Sequence, residues 1–325
     1  MKLHGQDRAV AAFSAARSSG ALHHAWLLAG PRGVGKARFA AMASLRVLAD
    51  AAGPPVPLPG LETPVDHPIA RLVAAGSHPD FRWLEREAND KGDLRRNITI
   101  AQVRKLGELF TVAPSLSSWR AAVIDSVDDL EPNAANALLK MLEEPPANCL
   151  FFLVSHAPGR LLPTIRSRCR RLDFGRLDDL ALERAVAEAL PELSQEERLT
   201  LVSFAGGSVG RALAFAELDL ATLEEEAAAI LHDGDPGSRR RSKLAAALAT
   251  KAAAPRYAAF LDLAPTLLAR EARLASGQRR QLLLDAYGRA RETAAIAPRL
   301  SLDPAAAAFQ MGNILASVAA SAEGG

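Results

Sequence analysis

The pattern of apolar and polar positions changes character about halfway along the chain. In the first half, short apolar runs alternate with stretches of helical period, the signature of strands separated by helices. Residues 25–29, 81–84, 120–125, 149–154 and 172–174 are the strand candidates. Between them, residues 9–16 read as a short helix, and Lys36 opens a helix whose apolar side is Phe39, Met42, Ala43 and residues 45–48. Ile98-Thr99-Ile100 leads into a helix through Val103, Leu106, Leu109 and Phe110. Asn133 stands as the cap of a further helix, in which Ala135, Leu138, Leu139 and Leu142 recur at helical spacing until Pro145-Pro146 ends it. Residues 160–169 are short helix or loop. Strands alternating with helices predict a mostly parallel sheet with helices on both faces.

Two stretches interrupt this pattern. Residues 53–68 carry Pro54, Pro55, Pro57, Pro59, Pro64 and Pro68, a density that excludes a helix or a central strand and predicts a long connection. Residues 85–96 read as a charged loop. Strands vanish after Gly175. Helical runs at 178–190, 195–205 and 208–218 form a small module with a break at Gly206-Gly207. A second set at 221–232, 239–252, 255–275, 278–296 and 304–320 is divided by Asp233-Gly234-Asp235-Pro236-Gly237 and by single prolines. The expected organisation is an α/β domain over residues 1–175, a small helical domain over 176–218 and an all-α domain over 219–325.

Composition sharpens this picture without redirecting it. At 325 residues, 49% apolar and 23% charged, the chain is long enough for several globular cores, and 5% aromatics with abundant alanine favours closely packed helices. A net charge of +2 gives no bulk argument for a nucleic-acid partner. With only Cys149 and Cys169, neither a disulfide scaffold nor a four-cysteine zinc site is available. The charged N-terminus has no signal-peptide pattern and no apolar run is long enough to span a bilayer, so the expected location is the cytoplasm.

The candidate chemistry starts at Gly30-Pro31-Arg32-Gly33-Val34-Gly35-Lys36, a Gly-x-x-x-x-Gly-Lys loop between a strand and a helix. In that context backbone N–H groups wrap phosphates and the lysine reaches the outer ones. Residue 37 is Ala, where a Ser or Thr hydroxyl would hold magnesium, and Asp125 ends a later strand but is followed by Ser126 and not by a glutamate that could polarise water. Gly30, Gly33, Gly35, Lys36, Ala37, Asp125 and Ser126 therefore form a degenerate nucleotide site. Residual binding of ATP, ADP or phosphate stays open, no cofactor is required, and hydrolysis is not expected. Asp128 and Asp129 lie too far along the chain to substitute at 126 and read as a solvated turn or a cap.

The run from Leu161 to Arg170 holds Arg166, Arg168 and Arg170. It reads either as an exposed charged turn around a buried cysteine, or as a surface from which Arg168 projects into a nucleotide site on a neighbouring molecule.

Three strings carry a resemblance: Asp125-Ser126-Val127-Asp128-Asp129-Leu130, the stretch from Asn136 to Pro146, and Ser167-Arg168-Cys169. With His23-His24-Ala25-Trp26 and Ser77-His78-Pro79-Asp80, they make residues 1–215 similar to the AAA+ subunits of the bacterial sliding-clamp loader, of the delta-prime type in DNA polymerase III. The resemblance implies a P-loop AAA+ domain, a helical lid and an all-α collar. It also implies a hetero-pentamer with delta and gamma/tau subunits that loads the sliding clamp onto primer-template DNA, as part of a DNA polymerase holoenzyme. Within it, Arg168 matches a finger acting in trans, Ser155 and His156 a first sensor, and Arg211 the sensor arginine of the lid. Gln102 and Arg104 fall where a loader subunit tracks the DNA backbone, although an ordinary solvent-facing helix start accounts for them equally. One departure stands out: the family's zinc module is replaced by the cysteine-free 53–68 segment, and His67 and His78 do not make up the ligand count, so no zinc is expected. The function expected is an ATPase-inactive structural or regulatory subunit. The alternative is an active gamma/tau-type ATPase, which would want a hydroxyl at 37 and a glutamate at 126. A free-standing nucleic-acid enzyme would need a nucleophile, a metal cluster or a strongly basic face, and none is visible.

Overall fold

The computed structural model of the chain describes residues 2–89, 92, 94–218 and 220–319. Positions 90, 91 and 93 of the expected charged loop, residue 219 at the expected second boundary, and residues 320–325 lie outside them. Among the described residues the first half runs α1 (Asp7–Ser18), β1 (Ala25–Ala29), α2 (Lys36–Ala51), α3 (Pro68–Ala74), β2 (Phe81–Glu85), α4 (Ile100–Thr111) and β3 (Arg120–Asp125). It continues with α5 (Pro132–Glu143), β4 (Cys149–Ser155), α6 (Pro163–Ser167) and β5 (Arg170–Asp173). Helices follow: α7 (Asp179–Ala189), α8 (Gln195–Ala205), α9 (Val209–Ala216), α10 (Leu220–Asp233), α11 (Arg239–Leu248), α12 (Ala254–Leu274), α13 (Gly277–Arg299) and α14 (Pro304–Ala319).

The strands form one parallel sheet in the order β2-β3-β4-β1-β5. β1 and β4 are buried at every position, as a strand covered on both faces requires. Because side chains alternate, neighbouring residues of β4 serve different cores. Phe152 joins Phe13, Trp26, Phe39 and Phe174 in an aromatic cluster with ring centroids 5.1–6.2 Å apart. Phe151 faces the other way, 4.7 Å from Phe110, among Leu27, Ile124, Leu106 and Leu138 of the core beneath α4 and α5. The register pairs Ala29 with Ser155, Asp125 with Val154 and Glu85 with Asp125, so the carboxyl ends of β1, β2, β3 and β4 open at one edge. In open α/β sheets that edge is where ligands are met.

The chain divides into two compact units, Met1–Leu193 with Gly206–Gly210, and Ser194–Ala205 with Arg211–Gly325. The sheet and α1 to α7 belong to the first, while α8, most of α9 and α10 to α14 belong to the second. In the second unit α12 packs along α13, and α14 packs against α10, α11 and α13, around Leu223, Ile230, Leu248, Phe260, Leu283 and Met311. Among the described residues no helix is long and apolar enough to cross a membrane.

Three local expectations need correction. Pro68 does not extend the proline-rich connection; it starts α3, capped by the His67 ring, whose Nδ1 accepts from the Ile69 N–H at 3.2 Å. Proline is tolerated at the first helical position because the amide it lacks would have no intrahelical partner. The same preference moves the start of α5 from Asn133 to Pro132, with Glu131 as the flanking residue and Asn133 inside the first turn. Asp128 is neither a solvated turn nor a helix cap, as its contacts below make plain.

Candidate functional site

The glycine loop leaves the end of β1 at the carboxyl edge of the sheet. A side chain at Gly30 would run into the carbonyl oxygen of Phe174, and Gly33 has φ +73° with Ser208 Oγ pressed against the place of its missing Cβ. Residues 208–210 are tied to the loop there: Ser208 Oγ donates to the Arg32 carbonyl at 3.1 Å and Gly210 N–H to the Gly33 carbonyl at 3.0 Å. Gly35 precedes the first turn of α2. From that turn Lys36, 3% exposed, curls back so that Nζ donates to the Gly30 carbonyl at 2.6 Å and to that of Pro31. Burial lowers the Lys36 ammonium to about 8, against the opposing pull of Asp125 and Asp128.

The N-terminal segment runs across the same loop. Gln6 Nε2 donates to the Val34 and Gly175 carbonyls at 3.0 and 2.9 Å, and Glu188 on α7 takes the Lys2 amide at 2.6 Å and lies 2.8 Å from His4 Nε2. The pocket between them, about 390 Å³, is lined by apolar Leu3, Val34, Ala37, Val154, Ala185 and Val209, by the cations Lys2, Arg32, Lys36 and Arg38, and by His4, His156 and the Asp125 carboxyl. Backbone amides at a helix start beside Arg32 and Lys36 are the groups that could hold a phosphate here, although Lys36 Nζ is engaged by the loop's own carbonyls and the Asp125 carboxyl shares the lining. Magnesium does not fit in the same way: Ala37 offers no oxygen, leaving Asp125 as the carboxylate ligand at the loop. Burial raises the Asp125 carboxyl, reinforced by Glu85 across the sheet, while Lys36 opposes the rise. Among the described residues no group of three or more His, Cys, Asp or Glu side chains is placed to hold a metal ion.

Beyond Asp125 the chain is knotted by Asp128. Its carboxylate accepts from Ser126 Oγ at 3.1 Å, Ser155 Oγ at 2.9 Å, the His156 amide at 2.5 Å and the Ala157 amide at 3.3 Å. Ser155, fully buried at the end of β4, therefore spends its hydroxyl proton on Asp128. Burial, with Lys36 and Arg32 close by, depresses the His156 imidazole to about 4, so it is neutral at physiological pH. Asp129 pairs with Arg86 at 3.3 Å, and a second cleft of about 290 Å³ runs past Arg32, Glu85, Asp125 and Ser126.

The remaining sequence-predicted residues fall elsewhere. Arg168 follows α6, about a third exposed, with Nη2 2.8 Å from Glu143 and Nη1 donating to the Thr164 carbonyl at 3.0 Å. Gln102 is consumed locally: its carbonyl oxygen accepts from the Thr99 amide at 2.9 Å in a capping box, and its Nε2 donates to the Glu85 carbonyl at 3.0 Å. Arg104 instead borders a groove of about 590 Å³ between α4 and α5, shared with Asn133, Asn136 and Lys140. Arg211 belongs to the second unit, where it lies 3.7 Å from Asp262 and over the Phe215 ring. Asp128, Lys140 and Glu143 lie inside the strings that carry the resemblance but were not singled out there as site residues; Asp128 meets Ser155 on β4 and Glu143 meets Arg168 beyond α6, contacts that the strings do not show, while Lys140 lines the α4–α5 groove.

The family described as "DNA polymerase III, delta subunit" matches residues 5–178. Among curated proteins, the chain is 35% identical over 191 residues to the DNA polymerase III subunit delta' of Pseudomonas aeruginosa, covering 57% of this chain and 53% of that one. It is 34% identical over 164 residues to the DNA polymerase III subunit tau of Bacillus subtilis, covering 49% of this chain and 26% of that one. The aligned part thus spans about half the length of the first relative and about a quarter of the second. Among solved structures, a DNA polymerase III gamma subunit-related protein from Thermotoga maritima overlays 93% of this chain and 97% of its own, with TM-score 0.44 and 18% identity.

Proposed function

The chain belongs to the DNA polymerase III, delta subunit family of clamp-loader proteins, and from that premise we propose that it is the loader subunit that does not hydrolyse ATP and serves a neighbour's nucleotide instead. One observation carries the reading. The phosphate loop lacks the hydroxyl at Ala37 and the acid at Ser126, while Arg168 stands at the surface of the same unit. A guanidinium fixed beside another subunit's γ-phosphate neutralises charge developing in phosphoryl transfer. The subunit's own loop needs no such group.

In this reading the partners are delta and gamma/tau subunits, with the helices from about residue 219 onward forming the collar that joins them. Residues 176–218 correspond to the lid, and Arg211 to its sensor arginine. Sliding clamp and primer-template DNA are met through the complex, in the cytoplasm. Arg104 and Lys140, not the engaged Gln102, carry the DNA backbone contact, because both border the α4–α5 groove.

The test is ATP turnover. The purified chain should show none, and Arg168→Ala should lower the DNA-stimulated turnover of a loader reconstituted with its partners. Magnesium-dependent hydrolysis by the isolated chain that disappears in Lys36→Ala would instead establish the gamma/tau-type activity. The 34% identity to a tau subunit keeps that second reading in view.

A further inference from the structure

We infer that Glu143 is a positioning residue for Arg168, biasing its guanidinium toward an arrangement in which it meets a neighbour's phosphate; this rests on the in-trans reading of Arg168 above. The need for such a residue follows from where Arg168 sits. It caps α6, a helix of five residues, too short to fix a long side chain by itself. Thr164, which accepts from Arg168 Nη1 at 3.0 Å, belongs to that same short turn, as does Ser167, whose hydroxyl lies 3.4 Å away. Neither relates the guanidinium to the rest of the unit.

Glu143 does. It is the last residue of α5, a twelve-residue helix anchored through fully or nearly fully buried Ala134, Leu138 and Leu142. Its Oε1 lies 2.8 Å from Arg168 Nη2. The guanidinium is thus held at both ends of its fork, by α5 on one side and by α6 on the other. A guanidinium has five N–H donors in a rigid plane, so these contacts leave donors for a phosphate oxygen, and Arg168 need not abandon Glu143 to act. Both side chains are partly exposed, 35% and 45%, so the pair biases the side chain without locking it. An exposed pair of this kind corresponds to a population bias of about two- to fivefold, which sets the size of the expected effect.

The experiment uses the loader reconstituted with its partner subunits, with assembly verified by size-exclusion chromatography. ATP turnover is measured with primed DNA and clamp for the parent, E143A, E143L, E143Q, R168A and E143A/R168A. E143A and E143L should each lower kcat by about two- to fivefold with KM for ATP unchanged. E143Q keeps an acceptor oxygen and should restore most of the loss. In the R168A background E143A should cost nothing further, a non-additivity that a general structural defect would not produce. If E143A and E143L turn over at or above the parental rate while R168A is impaired, the role of Glu143 is overturned and the in-trans reading stands. An equal fold loss from E143A in both backgrounds overturns it too. If R168A itself has no effect, the in-trans reading falls and takes the positioning role with it.

Discussion

Removing the Asp128 carboxylate should loosen the edge of the sheet that carries the site. In the native chain it accepts from two hydroxyls, Ser126 and Ser155, and from the amides of His156 and Ala157. Asp128→Ala deprives all four at once. Ser126 and Ser155 are 2% and 0% exposed, so water does not replace the lost acceptor for them, whereas the two amides sit in a partly open turn. An orphaned buried donor costs roughly 1–3 kcal/mol, and the two hydroxyls together place the expected loss at about 3–4 kcal/mol, near the upper end of single-residue effects. All three tryptophans, Trp26, Trp83 and Trp119, lie in the first unit, so their fluorescence during urea denaturation reports that unit alone. With a slope of about 2–3 kcal/mol/M, the midpoint should fall by more than about 1 M. Asp129→Ala is the control: its pair with Arg86 is partly exposed, and the loss should stay within about 1 kcal/mol. A midpoint for Asp128→Ala that matches the control would refute the claim that this carboxylate ties β3 to β4.

Arg46, 6% exposed, donates to the carbonyls of Leu58 at 2.6 Å and Glu62 at 2.9 Å and pairs with Asp50 at 2.8 Å, pinning the proline-rich connection. Arg46→Met should cost about 2–3 kcal/mol and open residues 53–67 to limited proteolysis; an unchanged cleavage pattern would count against it. Burial holds Lys36 at about 8, so the ammonium's share of pyrophosphate binding at the loop, followed by calorimetry, should fade as pH rises from 7 to 9, and Lys36→Met should leave only the pH dependence of the ligand's own protonation. The His156 imidazole titrates at about 4 in the fold against 6.5 ordinarily, so the unfolded chain takes the proton first. Its contribution is present above pH 6.5 and is lost as pH falls toward 4, on the order of 1–2 kcal/mol after allowing for partial exposure, and His156→Gln should flatten thermal stability across that window. Gly33→Ala meets a φ of +73°, the Ser208 hydroxyl and the Gly210 backbone, and thermal unfolding should show a loss of about 2 kcal/mol, with Ser208→Ala in the same chain removing only the hydroxyl's share of the clash and none of the backbone strain.

The parts of this molecule that were legible in the sequence are those whose cause is local. β1 could be bounded at Ala25 and Ala29 because a buried parallel strand is a short apolar run stopped by glycine, and α2 because Lys36 follows the loop glycines. α3 is not visible in the sequence and the start of α5 is displaced by one residue, for a related reason: proline is a breaker in a helix interior and a good first residue, and only the chain's direction out of the preceding turn decides which applies at Pro68 and Pro132. The site divides along the same line. The missing hydroxyl at Ala37 and the missing acid at Ser126 sit inside contiguous motifs, so their loss is visible without coordinates. What the fold does with the freed groups is not visible, because Asp128 meets Ser155 across 27 residues and Lys36 turns onto the loop's own carbonyls only once the loop has closed. Arg168 belongs to both kinds. Its triplet can be read from the chain, but the carboxylate that holds it comes from the end of a different helix, and a guanidinium acts from a place as much as from a charge. A degenerate motif therefore identifies which chemistry a subunit has given up; what it contributes in exchange depends on contacts between elements that only the folded unit brings together.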